Sequence, residues 1–403
     1  MDMSAPSEGM EVANFHDTIL RQGGLISDKL SMLRMEHYPP NATKGLRPFS
    51  LAEVAYFLGV TPSNIKKLHL EGKGPIPATS PSGRRSYTAD QMLELRKYLD
   101  RHGRSDLKQY VPHRRAGEKM QIISAVNFKG GSGKTTTAAH LAQFLALTGH
   151  RVLAIDLDPQ ASLSALHGIQ PELDKAPSIY EALRYDDKKL PLSEIIRPTN
   201  FPGLDIVPAS LDLQEYEYDT PLAASNRNAE GRTFFTRISS ALKEVDDRYD
   251  VVVIDCPPQL GYLTLTALTA STSVLVTIHP QMLDVMSMSQ FLLMLGGILK
   301  SIADAGATVN LKWFRYLVTR YEPTDGPQAQ MVGFMHVLFP KNMLTHQMVK
   351  STAISDAGIT NQSLYEVDRS QMIRSTYDRA LEAVNAVNEE IASLIHQAWG
   401  RRV

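Results

Sequence analysis

The run Asn127-Phe128-Lys129-Gly130-Gly131-Ser132-Gly133-Lys134-Thr135-Thr136 constrains this chain more than any other segment, because it follows a β-branched apolar stretch at 122–126 and opens an apolar helical pattern. Glycines let backbone amides converge on a phosphate without side-chain clash, and the helix start adds its positive end. Lys134 can reach β and γ phosphates, and the Thr135 hydroxyl can bind magnesium. The usual loop pattern places a glycine where Phe128 stands; that glycine is missing, and a second lysine, Lys129, enters the loop. A strand–loop–helix of this kind needs a parallel sheet around it. Apolar runs at 122–126, 152–156, 205–207, 251–255, 274–278 and 316–319 alternate with helical stretches, which predicts an α/β fold: a doubly wound, mostly parallel sheet within residues 120–403.

Two of those runs end in carboxylates, Asp156-Leu157-Asp158-Pro159-Gln160 and Asp255-Cys256-Pro257-Pro258. In a doubly wound sheet the carboxyl ends of the strands line the ligand crevice, so these acids are expected to converge on the phosphate loop. Asp255 is expected to hold a magnesium-bound water, Asp156 to support the metal shell, and Asp158 to orient an attacking water.

A single cysteine, Cys256, among 403 residues excludes a disulfide framework, a four-cysteine zinc site and a self-contained iron–sulfur cluster. No run approaches the roughly 18 apolar residues of a spanning helix, and the first thirty residues lack a secretory pattern, so a cytoplasmic protein is expected. A long helix over 371–399, with Tyr377, Leu381, Val384, Ile391, Leu394 and Ala398 on one face, is expected to pack on the sheet; a membrane-lying helix is the alternative, with little positive charge on its polar face to favour it.

The net charge of −1 conceals an asymmetry: residues 1–120 hold 18 Lys+Arg against 13 Asp+Glu, and the remainder is acidic. Residues 1–45 form an N-terminal helical segment, a candidate for dimerisation. Its stripe of Ile19, Leu20, Leu25, Ile26, Leu30 and Leu33 is interrupted by Gly23 and Gly24, which predicts two short helices or a broken one, stopped by Tyr38-Pro39-Pro40-Asn41. Within 46–101, helices at 50–58 and 62–70 are separated by Gly59-Val60-Thr61, with Ser50 and Thr61 as caps and Pro62 at a tolerated first position. Ala52, Val54, Ala55 and Leu58 are expected to pack inward, anchored by Ile65 and Leu68. This spacing fits a helix-turn-helix whose Ser63, Asn64, Lys66, Lys67 and His69 face a major groove. Arg84, Arg85 and Tyr87, after a Gly/Pro/Ser turn and before a helix at 88–101, complete a basic wing. Two packed helices without a DNA role remain the alternative. Residues 102–119, polar and basic, read as a linker.

Lys129 to Thr136, Asp156 to Gln160 and Asp255 to Pro258 together resemble the deviant Walker A ATPases of the ParA/MinD family over roughly 121–400. The resemblance implies binding of ATP with Mg2+, and hydrolysis to ADP and phosphate in which Lys129, Lys134 and Asp158 are catalytic. It also implies a homodimer in which Lys129 crosses to the partner's nucleotide, so that ATP closes a sandwich. The same motifs occur in nitrogenase iron protein, but its cluster needs subunit cysteines, and Cys256 reads as a buried small residue.

The order of helical segment, winged helix-turn-helix and ATPase is similar to the larger ParA-type plasmid partition proteins, the RepA group of RepABC replicons. That group implies segregation of DNA by an ATPase that binds nonspecific DNA, a ParB-type centromere-binding partner that stimulates hydrolysis, and an amino-terminal domain that represses its own operon. It implies a cytoplasmic, nucleoid-associated protein with no membrane partner. The resemblance places nonspecific DNA contacts on basic residues late in the ATPase domain: Lys350 lies where relatives usually carry an arginine, with Lys341, Arg369 and Arg374 as looser candidates. An ATP-switched transcription regulator without a transport role, and a MinD-like positioning ATPase, are the alternative readings.

Overall fold

The computed structural model describes residues 15–37, 44–81, 83–102, 110–169, 176–225, 231, 233–304 and 310–401. It comprises two units, Met1–Lys44 and Gly45–Val403. The Pro39-Pro40 stop and the first part of the expected linker, 103–109, lie outside the described residues.

In the first unit Phe15–His37 (α1) is one helix of 23 residues rather than a broken one. Gly23 and Gly24 have open space around them. Each costs about 1 kcal/mol of helix propensity relative to alanine but keeps its N–H donor, so the hydrogen-bond ladder passes through. Phe15, Ile19, Leu20, Leu25, Ile26 and Met32 are exposed.

The second unit begins with Phe49–Ser50 (β1), Leu51–Leu58 (α2), Pro62–Leu70 (α3), Ala78–Thr79 (β2), Arg85–Tyr87 (β3) and Ala89–His102 (α4). Ser50 and Glu53 form a reciprocal capping box on α2, Gly59 ends it at φ 62°, and the Thr61 side chain caps α3. β1 and β2 both pair antiparallel with β3. Val54, Ala55, Leu58 and Ile65 are buried as expected; Phe57 is buried too, whereas Ala52 is exposed.

The large sheet contains Gln121–Val126 (β4), Val152–Asp156 (β5), Arg197–Pro198 (β6), Leu204–Val207 (β7), Val251–Asp255 (β8), Ser273–Ile278 (β9) and Trp313–Val318 (β10). Its order is β10-β9-β4-β8-β5-β7-β6, with parallel pairing except for the edge strand β6. Every residue of β4, β5, β8 and β9 is buried, which explains why these strands read as continuous apolar runs and not as alternating ones. The helices of this layer are Lys134–Leu147 (α5), Ser162–Leu166 (α6), Ile179–Leu183 (α7), Leu192–Ile195 (α8), Glu215–Ser225 (α9), Arg237–Lys243 (α10), Tyr262–Ala270 (α11), Met282–Asp304 (α12), Gly326–Leu338 (α13), Thr352–Ile359 (α14) and Arg374–Ala398 (α15). α15 buries Tyr377, Val384 and Ile391 in the core that also contains α5. α12, although broken by polar residues in sequence, is long and apolar enough by length and composition to cross a membrane. Its Met288, Phe291, Leu295 and Ile302 are buried in the core beneath the sheet.

The small module does not hang on a free tether. Phe57 meets Phe144 of α5 and Tyr365 edge-on, each at 6.1 Å. Buried Arg96 donates to Phe57 O, Tyr110 O and Leu147 O, so one guanidinium serves α2, the following segment and the end of α5. The described part of the expected linker is a strap: Arg401 holds Pro112 O, His113 O and the Glu118 carboxylate, and the Arg114 amide donates to Asp250.

Candidate nucleotide site

The phosphate-type loop leaves β4, central in the sheet, and is fastened from behind. Asn127 accepts the Lys129 amide at 2.9 Å and donates to Thr277 O. Gly131 and Gly133 adopt φ of 73° and 83°, the left-handed region that only glycine enters freely. Thr319 Oγ1 donates to Ser132 O at 2.7 Å and Arg320 to Gly131 O at 3.1 Å. With these two carbonyls tied to the end of β10, the loop amides stay available to a ligand. Gly133 is also the N-cap of α5, which brings a helix start to the same place.

Lys134 is buried, with Nζ donating to Lys129 O at 3.2 Å. Burial pulls its ammonium below the usual lysine range, against Asp255, Cys256 and Asp158. Asp255 is fully buried, and neither of its carboxylate oxygens makes a hydrogen bond within the described residues. Burial and the charge of Asp156 push it well above the usual carboxylate range. An orphaned acid under a phosphate loop, next to Thr135, fits a hydrated divalent cation. Among the described residues no group of three or more His, Cys, Asp and Glu forms a self-sufficient metal site. A metal here would therefore need ligands from a bound phosphate.

Asp156, expected to support the metal shell, has both carboxylate oxygens engaged. Its Oδ2 accepts both the amide and the hydroxyl of Ser164 at 2.8 Å, and its Oδ1 accepts the Asp158 amide at 3.1 Å. Its oxygens are thus engaged in fixing α6 and the turn that carries Asp158, a positioning arrangement more than an open metal ligand. Burial raises its carboxyl to about 6. Asp158 is half-buried and accepts the Gln160 amide at 3.0 Å.

Both raised acids predict a pH effect. The folded chain keeps protons that the unfolded chain loses near pH 4, so both groups withdraw stability as pH rises above about 4; for Asp156 the loss runs through about 6, and Asp255 acts in the same direction. Asp255→Asn should raise the ligand-free melting temperature at pH 7.5 by about 2–4 °C and have little effect at pH 4. Calorimetric scans at the two pH values check this; a lower melting temperature at pH 7.5 would show that Asp255 is paired in the folded chain.

A cavity of about 560 Å³ opens over the loop, lined by residues 130–136, Asp158 and Gln160 on one side and by Thr319, Arg320, residues 348–351 and Ile354 on the other. This second wall carries no sequence motif. It forms because Tyr321 bridges to Val349 beyond the end of β10, with the Lys350 amide donating to Tyr321 O. Arg320 there adopts φ 53°, a strained value for a residue with a side chain. Lys350 stands on this rim with Nζ 2.9 Å from Glu322. Lys129 does not enter the cavity of its own chain; its Nζ rests 2.8 Å from Asp284.

On the small module Ser63, Asn64, Lys66, Lys67 and Arg84 are exposed. Tyr87 is not part of that surface: it is fully buried and stacked on His69 at 5.7 Å. His69 is half-buried and also bonded to Arg85 at 3.1 Å, so these three side chains pin the β2–β3 hairpin to α3. The looser candidates Lys341, Arg369 and Arg374 are all exposed, and Arg369 is held by Asp378.

A family model described as an AAA domain matches residues 120–305. A relative in Sinorhizobium fredii (strain NBRC 101917 / NGR234) bearing the name replication protein A is 73% identical over 400 residues, 99% of this chain and 98% of its own. Another of that name in Rhizobium rhizogenes is 54% identical, covering 94% of this chain and 95% of its own. Chromosome partitioning protein ParA of Myxococcus xanthus (strain DK1622) is 33% identical, covering 59% of this chain and 77% of its own. Among solved structures, one called Partition Protein matches in fold with a TM-score of 0.59 at 18% identity, covering 93% of this chain and 98% of its own. Cobyrinic acid a,c-diamide synthase from Mycobacterium smegmatis, with bound ADP and magnesium, matches at a TM-score of 0.52 and 26% identity, over 70% of this chain and 98% of its own. With the loop, the carboxylates and near full-length identity in agreement, the chain belongs to the ParA family of P-loop ATPases, in the RepA-like group whose members carry the name replication protein A.

Proposed function

We propose that this chain is a plasmid-partition ATPase that hydrolyses ATP with Mg2+, dimerises around the nucleotide, and represses its own operon through a winged helix-turn-helix. The observation that carries the reading is the orphaned Asp255 carboxylate beneath a phosphate loop whose carbonyls are tied away from the cleft. Lys134 and the loop amides bind the phosphates, Thr135 and a water on Asp255 hold the cation, and Asp158 orients the attacking water. Magnesium supplies the charge that neutralises Asp255 and the phosphate oxygens. Lys129 acts on the partner's nucleotide. A ParB-type protein stimulates turnover, and the ATP dimer rests on nonspecific DNA of the nucleoid.

Exposed Lys66, Lys67 and Arg84 support the operator role, since they offer phosphate contacts from α3 and the hairpin. Changing all three to alanine should weaken operator binding and reduce its salt slope by about 3. Arg85 is left in place because it anchors His69. Lys350→Ala should show the opposite pattern, keeping operator binding and losing ATP-dependent binding to random duplex. Gel shifts at two salt concentrations separate these outcomes. Loss of both activities in the triple variant with none in Lys350→Ala would place a single DNA surface on the small module.

The seating of that module on α5 favours a second reading, an ATP-switched regulator. The helix that begins at the phosphate loop ends against Phe57 and Arg96, so nucleotide state has a rigid path to α2. Equal operator affinity with ATP, with ADP and without nucleotide would dismiss it.

A further inference from the structure

The turn between α5 and β5 brings together a second cluster, at the end of α5 opposite the phosphate loop. His150 in that turn is buried, and its Nε2 faces the Nε2 of His396, in the last turn of α15, at 3.3 Å. The Leu145 carbonyl can only accept, so its contact with His150 Nδ1 at 3.2 Å puts the His150 proton on Nδ1 and leaves a lone pair on Nε2. Metal-ligating histidines are fixed in tautomer and orientation by the same kind of bond from the other ring nitrogen. The spacing also fits an ion: two nitrogens bound to one tetrahedral zinc at about 2.0–2.1 Å stand about 3.3–3.4 Å apart. The two Nε2 atoms are already at that separation.

The pair borders a cavity of about 450 Å³ whose wall also carries Tyr56, Arg96, Thr148, Glu389 and Ser393. That space is polar and roomy enough for water to complete a coordination shell. Burial pulls both imidazoles below the usual histidine range, so at neutral pH both are in the neutral form that ligates. Of the charged groups around the pair, Arg96, Arg115 and Arg401 oppose a cation, and Asp250, Glu118 and Glu389 favour one. Arg401 is paired with Glu118 at 2.6 Å, and Arg96 is shared among three carbonyls.

We propose that His150 and His396 form a binding site for a divalent ion of the zinc class, with water from the cavity in the remaining positions. An ion there ties the end of α5 to the end of α15, beside the contacts of Phe57 and Arg96 that seat the small module. Imidazole suits zinc, nickel, copper and cobalt, whereas magnesium prefers oxygen ligands and keeps its waters. The site is therefore chemically distinct from the magnesium position under the phosphate loop.

The test titrates zinc chloride into the full chain, stripped of metal with a chelator, in excess Mg2+ and without nucleotide. Calorimetry should show a zinc site that His396→Gln weakens about 100-fold, since losing even the outer partner of a ligating histidine costs about 10–100-fold. The chain has 12 histidines, so the position of the ion needs its own readout. Trp399 supplies it: its ring lies 5.8 Å from His396 and 6.1 Å from His150, and Trp313, the other tryptophan of the chain, stands on β10. Cobalt(II), an open-shell ion that binds imidazole, should quench Trp399 emission, and zinc should reverse the quenching by displacement. Trp399→Phe should lose the quenching and keep the zinc affinity, which locates the ion even if His396→Gln folds poorly. Zinc affinity unchanged in a folded His396→Gln, or bound cobalt that leaves Trp399 emission intact, would assign the metal to surface histidines and overturn the proposal.

Discussion

Replacing Lys134 by alanine is expected to weaken ATP binding about 100-fold, with a smaller loss for ADP. The side chain is 6% exposed, and its ammonium reaches one carbonyl, Lys129 O, at 3.2 Å. An ammonium so poorly solvated gains more from a phosphate than a surface lysine would, because a charge-assisted hydrogen bond contributes about 1.5–3 kcal/mol. ADP lacks the γ oxygens, which leaves fewer bonds to lose. Calorimetric titration with each nucleotide gives the comparison, and an unchanged ATP affinity would remove Lys134 from the site.

Asp158→Ala should leave nucleotide binding near wild type and slow hydrolysis by about 10²–10⁴, the usual contribution of a positioned acid–base group. Asp158 lies on the cavity wall, and its turn is secured by Asp156 through the Asp158 amide. Deleting the side chain removes the group that orients water without loosening the loop amides or Lys134. An ATP-bound dimer should therefore accumulate. Single-turnover quench and sedimentation together decide the role: normal hydrolysis with a lost dimer would make Asp158 an interface residue.

The nucleotide loop and its acids were legible because they are local in sequence. A strand ends, glycines turn, a helix begins, and Asp156, Asp158 and Asp255 mark other strand ends of the same sheet. The opposite wall was not, since Thr319 and Arg320 meet residues 348–351 through pairing between Tyr321 and Val349 that no periodicity announces. The basic and aromatic run at 84–87 illustrates the opposite error. Arg84 is exposed, but Tyr87, which looks like a surface aromatic in sequence, is buried against His69. The unbroken α1 shows that two glycines lower helix propensity without ending a helix. Asp284 left a signal that sequence reading passed over: an acid amid Met282, Leu283, Val285 and Met286, where burial demands a partner.

Mg2+-dependent ATP turnover by the purified chain tests the central claim most directly, measured alone, with nonspecific duplex DNA, and with DNA plus a ParB-type centromere-binding protein, with Lys134→Ala and Asp158→Ala as controls. The account predicts slow basal turnover that DNA and the partner raise together and that both variants lose. Turnover no greater than that of Lys134→Ala under all three conditions would contradict it.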